Sequence, residues 1–411
     1  MTVSPLAPAA FPELAPIDGV SLSTAASGMK YRGRDDMLLM RLDKGAATAA
    51  VFTRSDTAAA PVLWCRERLS GGAHARAILV NAGNANAFTG QAGLAAVASC
   101  CEAMASALGC RQAEVLMAST GVIGEPLDSD VLAPHFTALA SGGASSQAGW
   151  CAAAEAIRTT DTFAKGAGAS AVIGDSTVRI SGIAKGSGMI APDMATMLGF
   201  IATDAALPQP VLETLLVDTT RRSFNAITVD SDTSTNDSVF LVATGAAGNP
   251  PVTGADDPAL AGFRAALDQV TQDLAKQIVR DGEGATKFIT IDVSGAADDA
   301  TAHRIGMAVA NSPLVKTAIA GEDANWGRIV MAVGKAGAAI DQSRLEIGIG
   351  GIPIAAGGAR VEGYDEAPVA AHMKGPEITI SIHVGAGDGG ARIWTCDLTH
   401  GYISINADYR S

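Results

Sequence analysis

The chain has 411 residues, 48% of them hydrophobic but only 4% aromatic, so roughly two or three domain-sized units can form, with cores built from Ala, Val, Ile and Leu. Asp and Glu number 42 against 29 Lys and Arg, and the formal net charge of -13 argues against a nucleic-acid backbone or an anionic membrane surface as partner. A small zwitterionic or cationic substrate fits better, and the 46 glycines amid abundant apolar residues point to tight turns rather than disorder.

The N-terminal stretch MTVSPLAPAAFPELAPIDGV lacks a basic n-region and an uninterrupted apolar run, so it does not read as a signal peptide. A strand is predicted at Ala77–Val80. The uncharged run between Arg76 and Glu102 is broken by Asn81, Asn84, Asn86 and Gln91, which argues against a membrane span. Helical periodicity covers 92–108, and the apolar run Val115-Leu-Met then reaches Ser119-Thr120-Gly121, which reads as a strand end turning on glycine. Further helices are predicted over 148–158, 208–222 and 258–279, the last with Pro258 near its start and Gly282 after its end. Further strands are predicted at Thr177–Ile183, Ser238–Thr244, Phe288–Val293 and Ile378–Val384. Gly385–Gly390 fits GxGxxG but lies between the strand-like runs ITISIHV and ARIWTCDL, so it reads as a hairpin turn, not a phosphate loop. No internal repeat or low-complexity linker is present.

The six cysteines show no CxxC and no His/Cys metal spacing, so reduced thiols and a cytoplasmic protein are expected, with no metal or organic cofactor. Ser27-Gly-Met-Lys30 matches SxxK without its companion motifs, and there is no Walker A, GxSxG or HExxH. The six histidines are scattered singly.

The segment Lys185-Gly-Ser-Gly-Met-Ile-Ala-Pro-Asp-Met-Ala-Thr-Met-Leu198 carries a hydroxyl nucleophile, Thr196, in mid-chain. Cleavage of the Ala195–Thr196 bond would give Thr196 a free α-amine, whose reference pKa of about 7.7–8.0 suits a general base. Attack of the Thr hydroxyl on the preceding carbonyl, an N-to-O acyl shift and ester hydrolysis would make that cut. Gly186, Gly188 and Ala195 allow close backbone approach, and Pro192 prevents a continuous helix. The same residues also read as a Gly-rich turn leading into an apolar element, with Thr196 as its cap. Thr120-Gly121 offers a hydroxyl and an unobstructed N–H for an oxyanion. Lys185 could meet a carboxylate or be solvated, and Glu283 could bind an ammonium group or be a helix-end loop acid.

GIAKGSGMIAPDMATMLGFIATDA (182–205) closely resembles the signature of the ornithine acetyltransferase family, the bifunctional glutamate N-acetyltransferases. Matching stretches run in family order along the chain: AATAAVFTRSDTAAAPV (46–62), ILVNAGNANAFTG (78–90), MASTGVIGEPL (117–127), AIRTTDTFAKG (156–166), DSDTSTNDS (230–238), RDGEGATKFITI (280–291), NSPLVKTAIAGEDANWGRI (311–329) and the terminal GYISINADYRS. The resemblance implies an α/β fold, a layered α-β-β-α sandwich built jointly by two self-cleaved segments, 1–195 and 196–411. It implies transfer of acetyl from N2-acetylornithine to glutamate by ping-pong through acetyl-Thr196, in an α2β2 assembly, and leaves open whether acetyl-CoA is also a donor.

The family pattern puts the oxyanion hole at Thr120 and Gly121, and substrate contacts at Thr159, Lys185, Thr196, Glu283, Asn406 and Ser411. Thr160, beside Thr159, is an alternative. A substrate-lining tail must be tied down, and Tyr402, Ile403 and Ile405 are the apolar candidates. Many relatives carry His-Pro-Asn where this chain has Ala191-Pro192-Asp193, which adds a carboxylate near the cut site. The competing activity is a self-processing Thr-nucleophile aminopeptidase or amidohydrolase, in which water resolves the acyl-enzyme.

Overall fold

The structure, a computed structural model, describes residues 2–70, 74–191 and 197–408; Asp193, Ala195, Thr196 and Ser411 lie outside the described residues. The chain begins with β1 (Val20–Ala25), β2 (Met37–Leu42), β3 (Ala47–Phe52), α1 (Ala60–Ser70), β4 (Ala77–Asn84), α2 (Gly90–Leu108) and β5 (Val115–Val122). Short helices α3 (Ser129–Leu132), α4 (Phe136–Ser141) and α5 (Gln147–Ala156) lead to the paired strands β6 (Lys165–Ile173) and β7 (Ser176–Lys185). Then follow β8 (Leu198–Thr203), α6 (Gln209–Arg221), β9 (Ser238–Ala243) and α7 (Ala261–Arg280).

These strands form two sheets, ordered β1-β2-β4-β5 and β3-β9-β8-β7-β6. The second takes strands from before and after residue 196, and its inner members are buried on both faces, so β8 and β9 read as continuous apolar runs. Alternation sorts their side chains. Leu198, Phe200, Ala202, Phe240 and Val242 join the core shared with the first sheet, while Ile201, Val239 and Leu241 join the opposite core with α6 and α7. Helices α1 and α2 pack on β5 of the first sheet. The result is the expected α-β-β-α layering. Phe200 and Phe240 stack at 5.7 Å between the sheets, and Phe52 meets Phe240 edge-on at 5.8 Å.

By length and hydropathy α2 could cross a membrane. Here it lies against the first sheet with Val97, Cys100, Cys101 and Met104 buried, and it ends at Gly109, whose φ of 65° suits a left-handed cap. Burial pushes the Cys65 and Cys100 thiols up to about 12, away from thiolate chemistry at neutral pH.

The remaining chain builds a third sheet: β10 (Phe288–Ala296), α8 (Asp299–Ala310), α9 (Pro313–Ala320), α10 (Trp326–Gly334), β11 (Glu346–Ile349), β12 (Ile352–Ala356), β13 (Ala359–Arg360), α11 (Glu366–Met373), β14 (Glu377–His383) and β15 (Gly389–Cys396). A last helix, α12 (His400–Asp408), follows. The sheet order is β13-β12-β11-β14-β10-β15. This corrects the hairpin expected at Gly385–Gly390. β10 inserts between β14 and β15, parallel to one and antiparallel to the other, and the glycine loop crosses its end with Ala386 and Gly387 donating to the Gly295 carbonyl. Local turn chemistry could not reveal a strand arriving from residues 288–296.

We expect Phe200→Ala to cost about 3–5 kcal/mol of stability in urea unfolding, because the ring fills the space between the two sheets. A loss below about 1 kcal/mol would contradict its inter-sheet placement.

Candidate active site

One end of the sheet stack is not closed by apolar packing but opens into a cavity of about 230 Å³. Its walls come from the end of β5 (Thr120, Gly121), the end of β7 (Lys185), the start of β8 (Met197, Leu198), the residues before β9 (Ser234, Asn236, Asp237), the loops after α5 and α7, and α12. Met197 is the neighbour of Thr196 in the chain.

The β5 end is shaped by a close backbone approach. Gly121 has φ 136°, and a Cβ there would lie 2.2 Å from the Gly83 carbonyl carbon, so only glycine lets β4 and β5 meet at this point. Ser119 Oγ donates to Asn81 Oδ1 at 2.6 Å, and Asn236 Nδ2 donates to the carbonyls of Ala85 at 2.6 Å and Ser119 at 2.9 Å. The first and second sheets are therefore tied beside the Thr120-Gly121 pair.

Lys185 Nζ donates to Thr120 Oγ1 at 3.1 Å. Thr120 thus accepts from a cation and keeps its own O–H for another acceptor, the arrangement an oxyanion donor needs. Burial lowers the Lys185 pKa below the usual ammonium range; Lys165 lowers it too, whereas Asp161, Asp237 and Glu283 oppose the shift.

Glu283 follows α7, and its N–H donates to the Ser187 carbonyl at 3.1 Å. A Cβ on Gly188 would lie 2.5 Å from the Glu283 carboxylate, so Gly188 provides the space that the acid occupies. Asn406 Nδ2 donates to Glu283 Oε2 at 2.8 Å, bringing the C-terminal helix to the same wall. Helix α12 is fixed at its base, where Thr399 Oγ1 donates to the Gly284 carbonyl, and by Tyr402 O–H to Asp230 Oδ2 at 3.4 Å. Of the three apolar anchors expected there, Ile403 is 65% exposed and anchors nothing; hydrogen bonds at the helix base take that part.

Both Thr159 and Thr160 line the cavity. The Thr160 hydroxyl is engaged with Ser187 Oγ at 2.7 Å, and Thr159 is held through its N–H to Asp161 Oδ2 at 3.0 Å. The structure thus brings together Thr120, Gly121, Thr159, Lys185, Glu283 and Asn406; Thr196 and Ser411 lie outside the described residues. Sequence reasoning assigned no role to Asn236 or Asp237, although both fall in the DSDTSTNDS stretch. The available signal was a carboxylate immediately before the apolar run Ser238–Ala243. Asp237 is 2% exposed, its Oδ2 has no hydrogen-bond partner among the described residues, and burial pushes its carboxyl well above the usual range.

The profile of the ArgJ family matches residues 21–411. The "Arginine biosynthesis bifunctional protein ArgJ" of Gluconobacter oxydans is 56% identical over 411 residues, covering 100% of this chain and 96% of the relative. That of Rhizobium meliloti is 54% identical over 413 residues, covering 100% and 99%. A solved structure of arginine biosynthesis bifunctional protein ArgJ from Bacillus halodurans is 44% identical with TM-score 0.50, covering 52% of this chain and 100% of that one.

A raised Asp237 pKa means that the folded state holds its proton more tightly than the unfolded chain. Stability from this group is therefore full below the unfolded value near ~3.9 and declines as pH rises towards the folded value. Asp237→Asn should then raise Tm more at pH ~8 than at pH ~4, measured by calorimetry. An equal gain at both would contradict a carboxyl held neutral by burial.

Proposed function

This chain belongs to the ArgJ family of bifunctional arginine-biosynthesis enzymes, and on that premise we propose that it moves an acetyl group from N2-acetylornithine to glutamate through Thr196. The precursor cuts itself between Ala195 and Thr196. The new α-amine then takes the Thr196 hydroxyl proton, Oγ attacks the acetyl carbonyl, and Thr120 with the Gly121 N–H holds the oxyanion. Collapse of that intermediate expels ornithine and leaves acetyl-Thr196. The glutamate amine attacks this ester, giving N-acetylglutamate and the free hydroxyl.

The observation that carries this reading is the convergence, on one cavity walled by Met197, of a hydroxyl and glycine at a strand end, a lysine, and an acid with its amide partner. Lys185 suits the α-carboxylate shared by both substrates, while Glu283, held by Asn406, suits an ammonium group. Thr159 and Ser411 complete the substrate contacts. Acetyl-CoA enters the proposal as a second donor to the same Thr196. A fully covered solved chain spanning 52% of this one supports separate segments 1–195 and 196–411, proposed here to assemble as α2β2 in the cytoplasm.

Wild-type protein should run as two fragments on a denaturing gel, and Thr196→Ala should remain one chain of 41.4 kDa without transacetylase activity. A Thr196→Ala chain that still splits at this bond would overturn the reading. Acetylornithine turned over only to free acetate, with or without glutamate, would favour the aminopeptidase-type hydrolase. In processed enzyme, Thr120→Val should lower kcat by about 10²–10³-fold through loss of one oxyanion donor; a loss below about threefold would remove Thr120 from that role.

A further inference from the structure

Beneath the cavity wall, Lys165 is fully buried with Nζ 2.7 Å from Asp161 Oδ1 and 2.6 Å from Asp281 Oδ2. Two carboxylates around one ammonium leave an excess negative charge in a low-dielectric interior, an arrangement that requires a further cation or dense hydrogen bonding. Both are present. Asp161 also accepts the Gly186 N–H at 2.6 Å and the Thr159 N–H at 3.0 Å, and Asp281 accepts from the Thr162 N–H at 2.9 Å and its hydroxyl at 2.5 Å. Gly186 is the residue after Lys185, and Asp281 precedes Glu283 by two positions. One buried ion set therefore touches the backbone of all three segments that carry Thr159, Lys185 and Glu283.

We propose that Asp161 is a positioning residue of this enzyme: held by Lys165, it fixes the backbone at Gly186 and supplies the counter-charge that keeps Lys185 an ammonium able to bind a substrate carboxylate. The inference rests on Lys185 belonging to the substrate site. The titratable groups around Lys185 include Asp161 from the loop after α5, Lys165 on β6, the Asp237 carboxyl before β9 and Glu283 after α7. Asp281 shares Lys165 but takes its other hydrogen bonds from Thr162, whereas Asp161 accepts from Gly186, the residue beside Lys185. Asp161 itself stays ionised, because Lys165 and Lys185 together hold its carboxyl below the usual range against the cost of burial.

That asymmetry gives the test. Protonated Lys185 is the binding form, so kcat/KM for glutamate should fall on the alkaline side as the ammonium is lost. Removing the negative charge in Asp161→Asn should move this alkaline limb down by about one pH unit or more and raise KM. Asp281→Asn, which takes a buried charge from the same lysine, should lower Tm while leaving the limb in place. Limbs that move equally in both variants, or in neither, would overturn the proposal.

Asp161→Glu keeps the charge but displaces it, and provides the measurement if Asp161→Asn does not fold. It should raise KM several-fold with the limb unmoved, and a shifted limb or an unchanged KM would count against the inference. Lys185→Met separates the two levels. An unchanged KM there would remove Lys185 from the substrate site and this inference with it, whereas a raised KM beside an unmoved Asp161→Asn limb would overturn the inference alone.

Discussion

A carboxamide reaching across two stacked sheets holds the site in shape. Asn236 is 7% exposed and precedes β9 of the second sheet, yet its Nδ2 donates to the carbonyls of Ala85 and Ser119 in the first. Facing sheets ordinarily close by apolar packing, as where Phe200 and Phe240, neighbours on β8 and β9, join the core shared with the first sheet. At the open end that mechanism stops, and polar strand ends remain that would each cost about 1–3 kcal/mol if buried without partners. One amide satisfies two of them. It also fixes Thr120 and Gly121 relative to Met197 and Asp237, which arrive on different layers.

The electrostatics follow from that enclosure. The chain carries a net charge of -13, yet the cavity wall holds Lys185 and the layer beneath it Lys165, each offset by carboxylates that other elements contribute. In such an interior a charge is stable only with fixed partners. The partners therefore double as struts: Asp161 holds Gly186 and Thr159 as well as Lys165, and Glu283 fills the space left by Gly188. Charge balance and site geometry are one design problem here, solved by the same few residues.

Much of this was legible from sequence where physics is local. The 3.6-residue periodicity of 258–279 matches Pro258–Leu260 followed by α7, and the apolar run at Ser238–Thr244 matches β9. Thr120, Gly121, Lys185, Glu283 and Asn406 were named through their resemblance to a family, and they do share a cavity. What could not be read depends on distant chain. Nothing near Gly385–Gly390 announces that β10 will separate the flanking strands, and nothing in the Tyr402–Ile405 pattern says that Ile403 faces outward. Asp237 lies in a polar run, and its burial depends on packing between segments far apart in the chain, with the Thr53 N–H donating to its carbonyl.

The central claim is that the acetyl group rests on Thr196 between two half-reactions. Intact-mass spectrometry of purified wild-type enzyme, quenched after mixing with N2-acetylornithine alone, tests it most directly. The fragment beginning at Thr196 should gain the mass of one acetyl group, mapped to that residue, and lose it when glutamate is added. Transfer of acetyl to glutamate with both fragments remaining unacetylated throughout would contradict it.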